Sequence, residues 1–504
     1  MSDANLEYGF RYDPTLFVEN DATLQGALVR TFVFEQPQPG DDTLVQGRID
    51  ELLAEQRDDG SFGDTAKATG SCLLDLLKLG LPHDRPEVAH AVEAILAQNR
   101  AGKMGDEGDL ELAGGMSVYP AHALALLGRS DLEEVVQWYQ WAVDHPQAYL
   151  GMDKGCPWCP NVLVQALWVG RNIVDTKNAL DASFTWLRDN LNEAGALGWK
   201  DPMGVLDCAG YADHPTAGEV VREQLPLILR MQRPDGGWGD KSLIVFRALR
   251  QYGLLEELDG KPPLPADFRI TRSVPIPAND VFSLAWDGQQ FWTFDKNAGA
   301  VAFSREDGSV TQHVAVPDAD VHGGVGWWNE SLAVTLQKPE KRLVLLDPAT
   351  GALKQDVPLD KWQWPAGVSL VGDKVVVADG FLCCIGLLNA EDLSMDRLGA
   401  LSGPGPVDLA GQGETVWSSD WMAGGVLFHS TLDGQLLDWG SVPFGGRIAG
   451  VAHDGEYLWV IDEANHRICA LEMTEAMKER SRDPVKRGTD SSGLSGLTEK
   501  GRAQ

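Results

Sequence analysis

The chain has 504 residues, 43% of them apolar, and a formal net charge of −32. So large a negative charge repels phosphate backbones and anionic membrane surfaces, so we expect neither a nucleic-acid partner nor a membrane partner. The sequence opens without a basic segment followed by an apolar run and contains no stretch of about 18 apolar residues, so we expect a soluble, cytoplasmic protein.

A glycine-rich turn recurs in the first half of the chain. Gln56–Gly63 reads QRDDGSFG and Gln232–Gly239 reads QRPDGGWG, with weaker copies between them. Each turn separates a helix that is apolar on one face from a helix that is apolar all round, a pairing typical of an outer helix that covers an inner one. The repeat of roughly 40–47 residues predicts an α/α toroid of five to six helical hairpins over residues 1–258.

These turns resemble those of the squalene-cyclase and protein-prenyltransferase superfamily, over roughly residues 40–255. The resemblance implies an α/α toroid with its active cavity at the mouths of the inner helices. The catalytic motifs of the superfamily are not reproduced. Asp41-Asp42-Thr43 lacks the first Asp of the cyclase acid motif, and Asp207-Cys208 lacks the spacer residue of the prenyltransferase zinc motif. The resemblance therefore predicts the toroid fold more strongly than it predicts a catalytic activity.

One cysteine motif suggests a metal site. Seven cysteines, an odd number without a secretory signal, favour thiols or metal ligands over structural disulfides. Cys156 and Cys159 form a Cys-x-x-Cys at the predicted start of an inner helix, where the helix dipole favours thiolate. If the ring closes, Cys208 and His122 join them from neighbouring inner helices, and three thiolates with an imidazole suit zinc. A redox-active dithiol and cysteines that only pack in the core remain as alternatives.

Three residues near this motif are candidates for catalysis. Asp207 and Tyr211 lie in the inner helix that follows the Cys-x-x-Cys helix, and Tyr119 opens the inner helix before it. A carboxylate and a phenol can move protons on a bound substrate. His214 is an alternative to His122 as a metal ligand, and Asp207 is an alternative to either histidine.

The second half repeats a short apolar strand that ends in aspartate, as in Phe291–Asp295, Val376–Asp379, Val416–Asp420 and Leu458–Asp462. The strand pattern restarts about every 40–43 residues, which matches one four-stranded propeller blade. Five blades are predicted over residues 268–474, after a linker at 259–267. The last unit has only three strands, so we expect the strand at 268–274 to complete it and close the ring. The polar segment 475–504 is predicted to be disordered.

The string Leu458–Ile468 resembles the repeats of NHL and strictosidine-synthase-like propellers. The resemblance implies a soluble propeller, of a kind that ranges from lactonases and lyases to scaffolds. Three residues at the channel-side strand starts, His322, Trp364 and Arg447, are too mixed in chemistry to define a site.

The leading hypothesis from the sequence is an enzyme that acts on an apolar small molecule, for example an isoprenoid-like one, in the toroid cavity. Cyclase, transferase or lyase chemistry would take place there beside a thiolate metal site, with the propeller as a lid or specificity element. Two alternatives come from other classes: a non-catalytic binding scaffold, and a lyase or hydrolase with its site in the propeller channel. The expected partner is a small-molecule substrate and the suspected cofactor is zinc.

Overall fold

A computed structural model describes residues 7–105, 115–145, 159–197, 201–278, 281–295, 299–316, 323–400 and 403–482. The described residues form a helical N-terminal part and a five-bladed β-propeller, which confirms the predicted combination of α and β domains. Within these ranges no helix is both long and apolar enough to cross a bilayer.

The helices alternate between an inner and an outer layer of the N-terminal part. They are α1 (Thr15–Asn20), α2 (Leu24–Val29, continued by a π-helical turn Arg30–Phe34), α3 (Asp41–Leu53), α4 (Ala66–Lys78), α5 (Pro86–Arg100), α6 (Val118–Leu126), α7 (Glu133–Asp144), α8 (Cys159–Val169), α9 (Lys177–Asp189), α10 (Pro202–Tyr211), α11 (Pro215–Met231), α12 (Ser242–Gln251), α13 (Leu254–Asp259) and, after the propeller, α14 (Glu475–Arg482).

The inner helices follow one another around a ring. Helix α4 packs on α6, α6 on α8, α8 on α10 and α10 on α12. The series is closed because α2 contacts both α12 and α3, and α3 contacts α4. The outer helices α3, α5, α7, α9 and α11 each pack on the inner helix that precedes them. Within the described residues, five helical hairpins and a final inner helix therefore form the predicted closed arrangement.

A glycine allows two inner helices, α10 and α12, to approach closely. A Cβ added at Gly210 would lie 2.5 Å from the Cβ and 2.7 Å from the Cα of Ala248. We expect Gly210→Ala to lower the free energy of unfolding by about 1–3 kcal/mol, because the two helices must move apart.

A matched substitution controls for helix propensity. Gly47 lies at an exposed position of α3, and a Cβ added there meets nothing within 4 Å. Gly47→Ala is therefore expected to stabilise the helix by up to about 1 kcal/mol. Urea unfolding of both variants makes the comparison. Equal stability of Gly210→Ala and the wild type would contradict the close packing of α10 and α12.

The propeller consists of twenty short strands. They are β1 (Phe268–Pro275), β2 (Val281–Trp286), β3 (Phe291–Asp295), β4 (Gly299–Phe303), β5 (Val310–Val314), β6 (Val325–Trp328), β7 (Ser331–Leu336), β8 (Arg342–Leu346), β9 (Leu353–Pro358), β10 (Pro365–Val371), β11 (Lys374–Asp379), β12 (Cys384–Asn389), β13 (Met395–Ala400), β14 (Pro406–Gln412), β15 (Thr415–Asp420), β16 (Val426–Thr431), β17 (Leu436–Ser441), β18 (Ile448–His453), β19 (Leu458–Asp462) and β20 (Arg467–Met473).

Each blade is an antiparallel sheet of four strands, and the last blade is completed by the first strand. The first four blades take consecutive strands from β2 to β17, and the fifth has the order β1-β20-β19-β18. Strand β1 pairs with β20 from Phe268 opposite Met473 to Pro275 opposite Arg467. The predicted closing strand is thereby confirmed, and pairing β1 with β20 leaves the ring without a gap.

The recurring aspartates hold the turns that follow their strands. The buried carboxylate of Asp420 accepts hydrogen bonds from the backbone N–H groups of Met422 and Ala423 at 2.8 and 2.7 Å. Asp379 accepts in the same way from the turn after β11. In these two blades the repeated aspartate therefore shapes the loop between the second and third strands.

A buried ion cluster joins the two halves of the molecule. Asp267, which precedes β1, pairs with Arg230 of α11 at 2.9 Å and with Arg480 of α14 at 2.7 Å. Both guanidinium groups lie over the ring of Trp439, at 4.4 and 5.2 Å from its centroid. Leu227 of α11 joins an apolar cluster with propeller residues beside it. The helical part and the propeller therefore dock through a desolvated interface.

The segment from residue 475 differs from its prediction. Disorder was expected from its polar composition, but its first eight residues form α14 (Glu475–Arg482), and residues 483–504 lie outside the described ranges. Two contacts explain the difference: Met477 is 1% exposed in the apolar core of the propeller, and Arg480 pairs with Asp267. Composition does not reveal such contacts with distant residues.

Candidate functional site

The inner helices carry polar side chains at partly exposed positions. On α10, Gly204, Asp207 and Tyr211 are partly exposed, whereas the residues between them are buried. Their spacing of three and four residues places them on one side of the helix. Lys78 at the end of α4 and Arg247 in α12 are also partly exposed, and the residues on both sides of Arg247 are buried.

These side chains are linked across the ring. Lys78 Nζ donates to Gln165 Oε1 at 3.2 Å, and Gln165 Nε2 donates to Asp207 Oδ2. The Arg247 guanidinium lies 3.7 Å from Asp207 Oδ1. The four residues belong to α4, α8, α10 and α12, so the contacts gather side chains from helices far apart in the sequence.

Two cations lie near the phenol ring of Tyr211. Lys78 Nζ is 6.0 Å and Arg247 Cζ is 5.9 Å from the ring centroid, about the outer limit of a cation–π contact. Burial raises the pKa of Tyr211, and the charge of Arg247 opposes this only in part. The phenol therefore keeps its proton at neutral pH and is available as a donor.

His122 of α6 is fully buried beside Tyr211. The two ring centroids are 6.3 Å apart and the ring planes meet at 83°. Neither ring nitrogen of His122 meets a hydrogen-bond partner among the described residues. Burial, with a smaller effect from Lys78, lowers the pKa of His122 to about 3. The imidazole is therefore neutral at pH 7, with one nitrogen able to donate and the other able to accept.

We call this group of residues the inner-helix cluster: Lys78, His122, Gln165, Asp207, Tyr211 and Arg247. It brings together three residues that the sequence analysis singled out, His122, Asp207 and Tyr211. The other three were missed. One repeat signal could have found Gln165, because Gln165 and Asp207 both stand five residues after a proline at the start of an inner helix.

Of the three cysteines in the predicted zinc site, the structure describes the side chain of Cys208 alone, and this thiol does not fit a zinc ligand. Cys208 is fully buried, its Sγ donates to the carbonyl oxygen of Val205 at 3.1 Å, and burial raises the pKa of the thiol. A neutral thiol in apolar packing is not the thiolate that zinc requires. Cys156 and the side chain of Cys159 lie outside the described residues, and among those described no group of three or more potential ligands gathers. The zinc site therefore stays an untested prediction.

Two further predicted residues make contacts outside the inner-helix cluster. The ring of Tyr119 has Lys67 Nζ at 6.0 Å from its centroid. His214 Nε2 lies 2.9 Å from Asp181 Oδ1, and its ring stacks on Phe184 with centroids 5.0 Å apart. His214 is thus engaged with α9 and does not replace His122 at the cluster.

No family model matches this sequence, and no curated protein is similar to it. The similar solved structures are β-propellers. Glutaminyl cyclase from Myxococcus xanthus is 11% identical, with 42% of this chain and 98% of that chain covered and a TM-score of 0.36. Virginiamycin B lyase from Staphylococcus aureus is 13% identical, with 40% and 69% covered and a TM-score of 0.28.

A third propeller has similar values. The PQQ-bound aldose sugar dehydrogenase from Streptomyces coelicolor is 13% identical, with 42% of this chain and 100% of that chain covered and a TM-score of 0.29. These three structures cover about two fifths of the chain each, and the helical ring lies beyond that share. Similarity at this level carries no argument about activity.

Proposed function

We propose that the protein is an enzyme that binds a small molecule against the inner-helix cluster and moves a proton on it. The observation that carries the proposal is His122, whose two buried ring nitrogens lack partners among the described residues. Buried polar groups are nearly always paired, and each unpaired one costs about 1–3 kcal/mol. A bound molecule that hydrogen-bonds to the imidazole recovers this free energy.

The charges of the cluster favour an anionic group on that molecule. Lys78 and Arg247 bring two positive charges to Asp207, which brings one negative charge, so the cluster has an excess of one positive charge in a chain of net charge −32. The buried residues of the surrounding helices are mostly apolar. The best match is a molecule with an apolar body and an anionic head, and an isoprenoid-like diphosphate combines these features.

The proposed roles follow from the protonation states. The phenol of Tyr211 is protonated at neutral pH and donates a proton to the bound molecule. The neutral imidazole of His122 accepts a proton from that molecule. An anion bound nearby stabilises the imidazolium form, which brings the pKa of His122 back towards neutrality. Asp207 holds Gln165 and Arg247 in place as a positioning residue.

Binding of farnesyl diphosphate, measured by calorimetry, tests the anion site. We expect Arg247→Met to weaken binding about tenfold or more, because one charge-assisted contact is lost. Lys177→Met removes a charge from an exposed position of the outer helix α9 and is expected to leave the affinity unchanged. Equal affinities of the wild type and Arg247→Met would contradict the proposal.

The His122→Leu variant separates function from stability. Loss of the two unpaired nitrogens is expected to leave the fold as stable or more stable, whereas deuterium incorporation from D₂O into the probe, followed by mass spectrometry, is expected to disappear. A binding scaffold without catalysis would bind the probe but show no incorporation in the wild type.

A further inference from the structure

A second cavity lies at the axis of the propeller, separate from the inner-helix cluster. Its volume is about 270 Å³, and it opens where the innermost strands begin. Its lining includes Trp364 before β10, Trp421 after β15 and Arg447 before β18. The volume is slightly below the range of typical drug-sized sites, so it suits a small ligand.

Two tryptophans form a fixed aromatic wall of this cavity. Their ring centroids are 6.5 Å apart and the planes meet at 49°. The indole N–H of Trp421 donates to the carbonyl of Gly380 at 3.1 Å, and the backbone N–H of Trp364 donates to the buried carboxylate of Asp379 at 3.2 Å. The side chain of Trp364 is nevertheless 39% exposed. The anchored indole of Trp421 and the exposed indole of Trp364 together suit the stacking of a planar ligand.

Arg447 supplies a positive charge in the same cavity. It is exposed and makes no hydrogen bond or ion pair with any residue within the described ranges. Because no described carboxylate pairs with it in a chain with 74 acidic residues, this arginine at an aromatic wall is available for an external anion. A guanidinium group binds a carboxylate through two parallel hydrogen bonds.

A buried carboxyl group next to lining residue Val407 does not compete for this charge. The carboxylate of Asp408 lies across the innermost strands and accepts from Leu284 N at 2.9 Å, Val451 N at 2.8 Å and Ser283 Oγ at 2.6 Å. It is fully buried and occupied by these donors. Among the described residues that line the cavity, Arg447 is therefore the charged group available for recognition of a ligand.

We propose that the propeller cavity binds a small planar aromatic carboxylate, with its ring on Trp364 and Trp421 and its carboxylate on Arg447. The proposal is independent of the inner-helix cluster, since the two sites share no residue. Failure of either proposal leaves the other standing.

The test compares 2-naphthoate with two other probes: 2-naphthamide, which lacks the charge, and cyclohexanecarboxylate, which keeps the charge but lacks the planar aromatic surface. The full-length wild type is expected to bind 2-naphthoate at least tenfold more tightly than either other probe, as measured by tryptophan fluorescence and calorimetry. Arg447→Met is expected to reduce 2-naphthoate binding to the level of 2-naphthamide and to leave 2-naphthamide unaffected.

Two further variants complete the design. Trp364→Leu is expected to weaken both naphthyl probes and to leave cyclohexanecarboxylate unchanged, because only the stacking surface is lost. Arg397→Met, at an exposed position of β13 on the outer edge of a blade, is the control and is expected to bind as the wild type does. Absence of 2-naphthoate binding to the wild type, or equal binding by wild type and Arg447→Met, would overturn the proposal.

Discussion

Replacement of Asp267 by alanine is expected to lower the free energy of unfolding by about 3–5 kcal/mol, because it leaves a buried arginine without its counter-charge. The Asp267 side chain is 3% exposed and that of its partner Arg230 is 8% exposed. Asp267 also binds Arg480 and accepts from the backbone N–H of Ser441 at 2.9 Å. The carboxylate of Asp267 thus makes contacts with α11, with α14 and with the fourth blade.

Urea unfolding followed by far-UV circular dichroism and tryptophan fluorescence makes the measurement. The control is Glu472→Ala, which breaks an ion pair with Arg269 whose side chains are 34% and 66% exposed, and it is expected to cost about 0–1 kcal/mol. We also expect the helical part and the propeller of Asp267→Ala to unfold in separate transitions. A single transition at the wild-type midpoint would show that the cluster does not hold the halves together.

The carboxylate of Asp267 also makes the free energy of unfolding depend on pH under acidic conditions. Burial alone would raise the pKa of Asp267, but Arg230 and Arg480 outweigh burial and lower it to about 2. The folded pKa is thus below the unfolded value of about 3.9, so the stabilisation is complete above pH 4 and is lost as the pH falls towards 2. In the Asp267→Asn variant, this decrease of stability between pH 4 and pH 2 is expected to be absent.

The propeller could be predicted almost completely from the sequence, because its determinants are local. Turn residues and strand alternation recur in each blade, the aspartate at the strand end recurs in four of the five, and a missing strand in the last unit requires one from elsewhere. Only the residues 268–274 stood in the right place to supply it, and they pair with β20. The helical ring could be predicted for the same reason, since its glycine-rich turns mark each hairpin.

The inner-helix cluster could be predicted only in part. Residue type and position within a predicted inner helix pointed to Asp207, Tyr211 and His122. Lys78 and Arg247 could not be assigned to the cluster, because a single sequence does not show which way the side chain of a lysine or arginine points. Likewise, the direction of the Cys208 thiol towards its own helix backbone depends on local packing and leaves no mark in the sequence.

The burial of Asp408 favours its protonated form. Burial raises the pKa of this carboxyl to about 7, although its hydrogen bonds oppose the shift. Oδ2 accepts from two backbone N–H groups, whereas Oδ1 accepts at 2.6 Å from Ser283 Oγ, a hydroxyl that can instead accept a hydrogen bond when the carboxyl is protonated. An asparagine can reproduce both contacts, with its oxygen towards the backbone donors and its amide N–H towards Ser283.

We therefore expect Asp408→Asn to fold and to remove a pH dependence of stability that the wild type has. The folded pKa of about 7 is above the unfolded value of about 3.9, so the contribution of Asp408 to stability is greatest below pH 4 and falls by about 1.4 kcal/mol per pH unit up to about pH 7. Urea unfolding at pH 4.5 and 7.5 measures the change in each protein, with the exposed substitution Asp373→Asn as the control that keeps the wild-type slope.

Asp408→Ala distinguishes the hydrogen bonds from the charge. It leaves Leu284 N and Val451 N buried without an acceptor, so we expect a loss of about 2–6 kcal/mol at both pH values. If Asp408→Asn and the wild type change equally between pH 4.5 and 7.5, the carboxyl is ionised throughout, and the three hydrogen bonds then outweigh the cost of burying its charge. In either case the alanine variant measures how strongly this one side chain ties the first, fourth and fifth blades together at the axis.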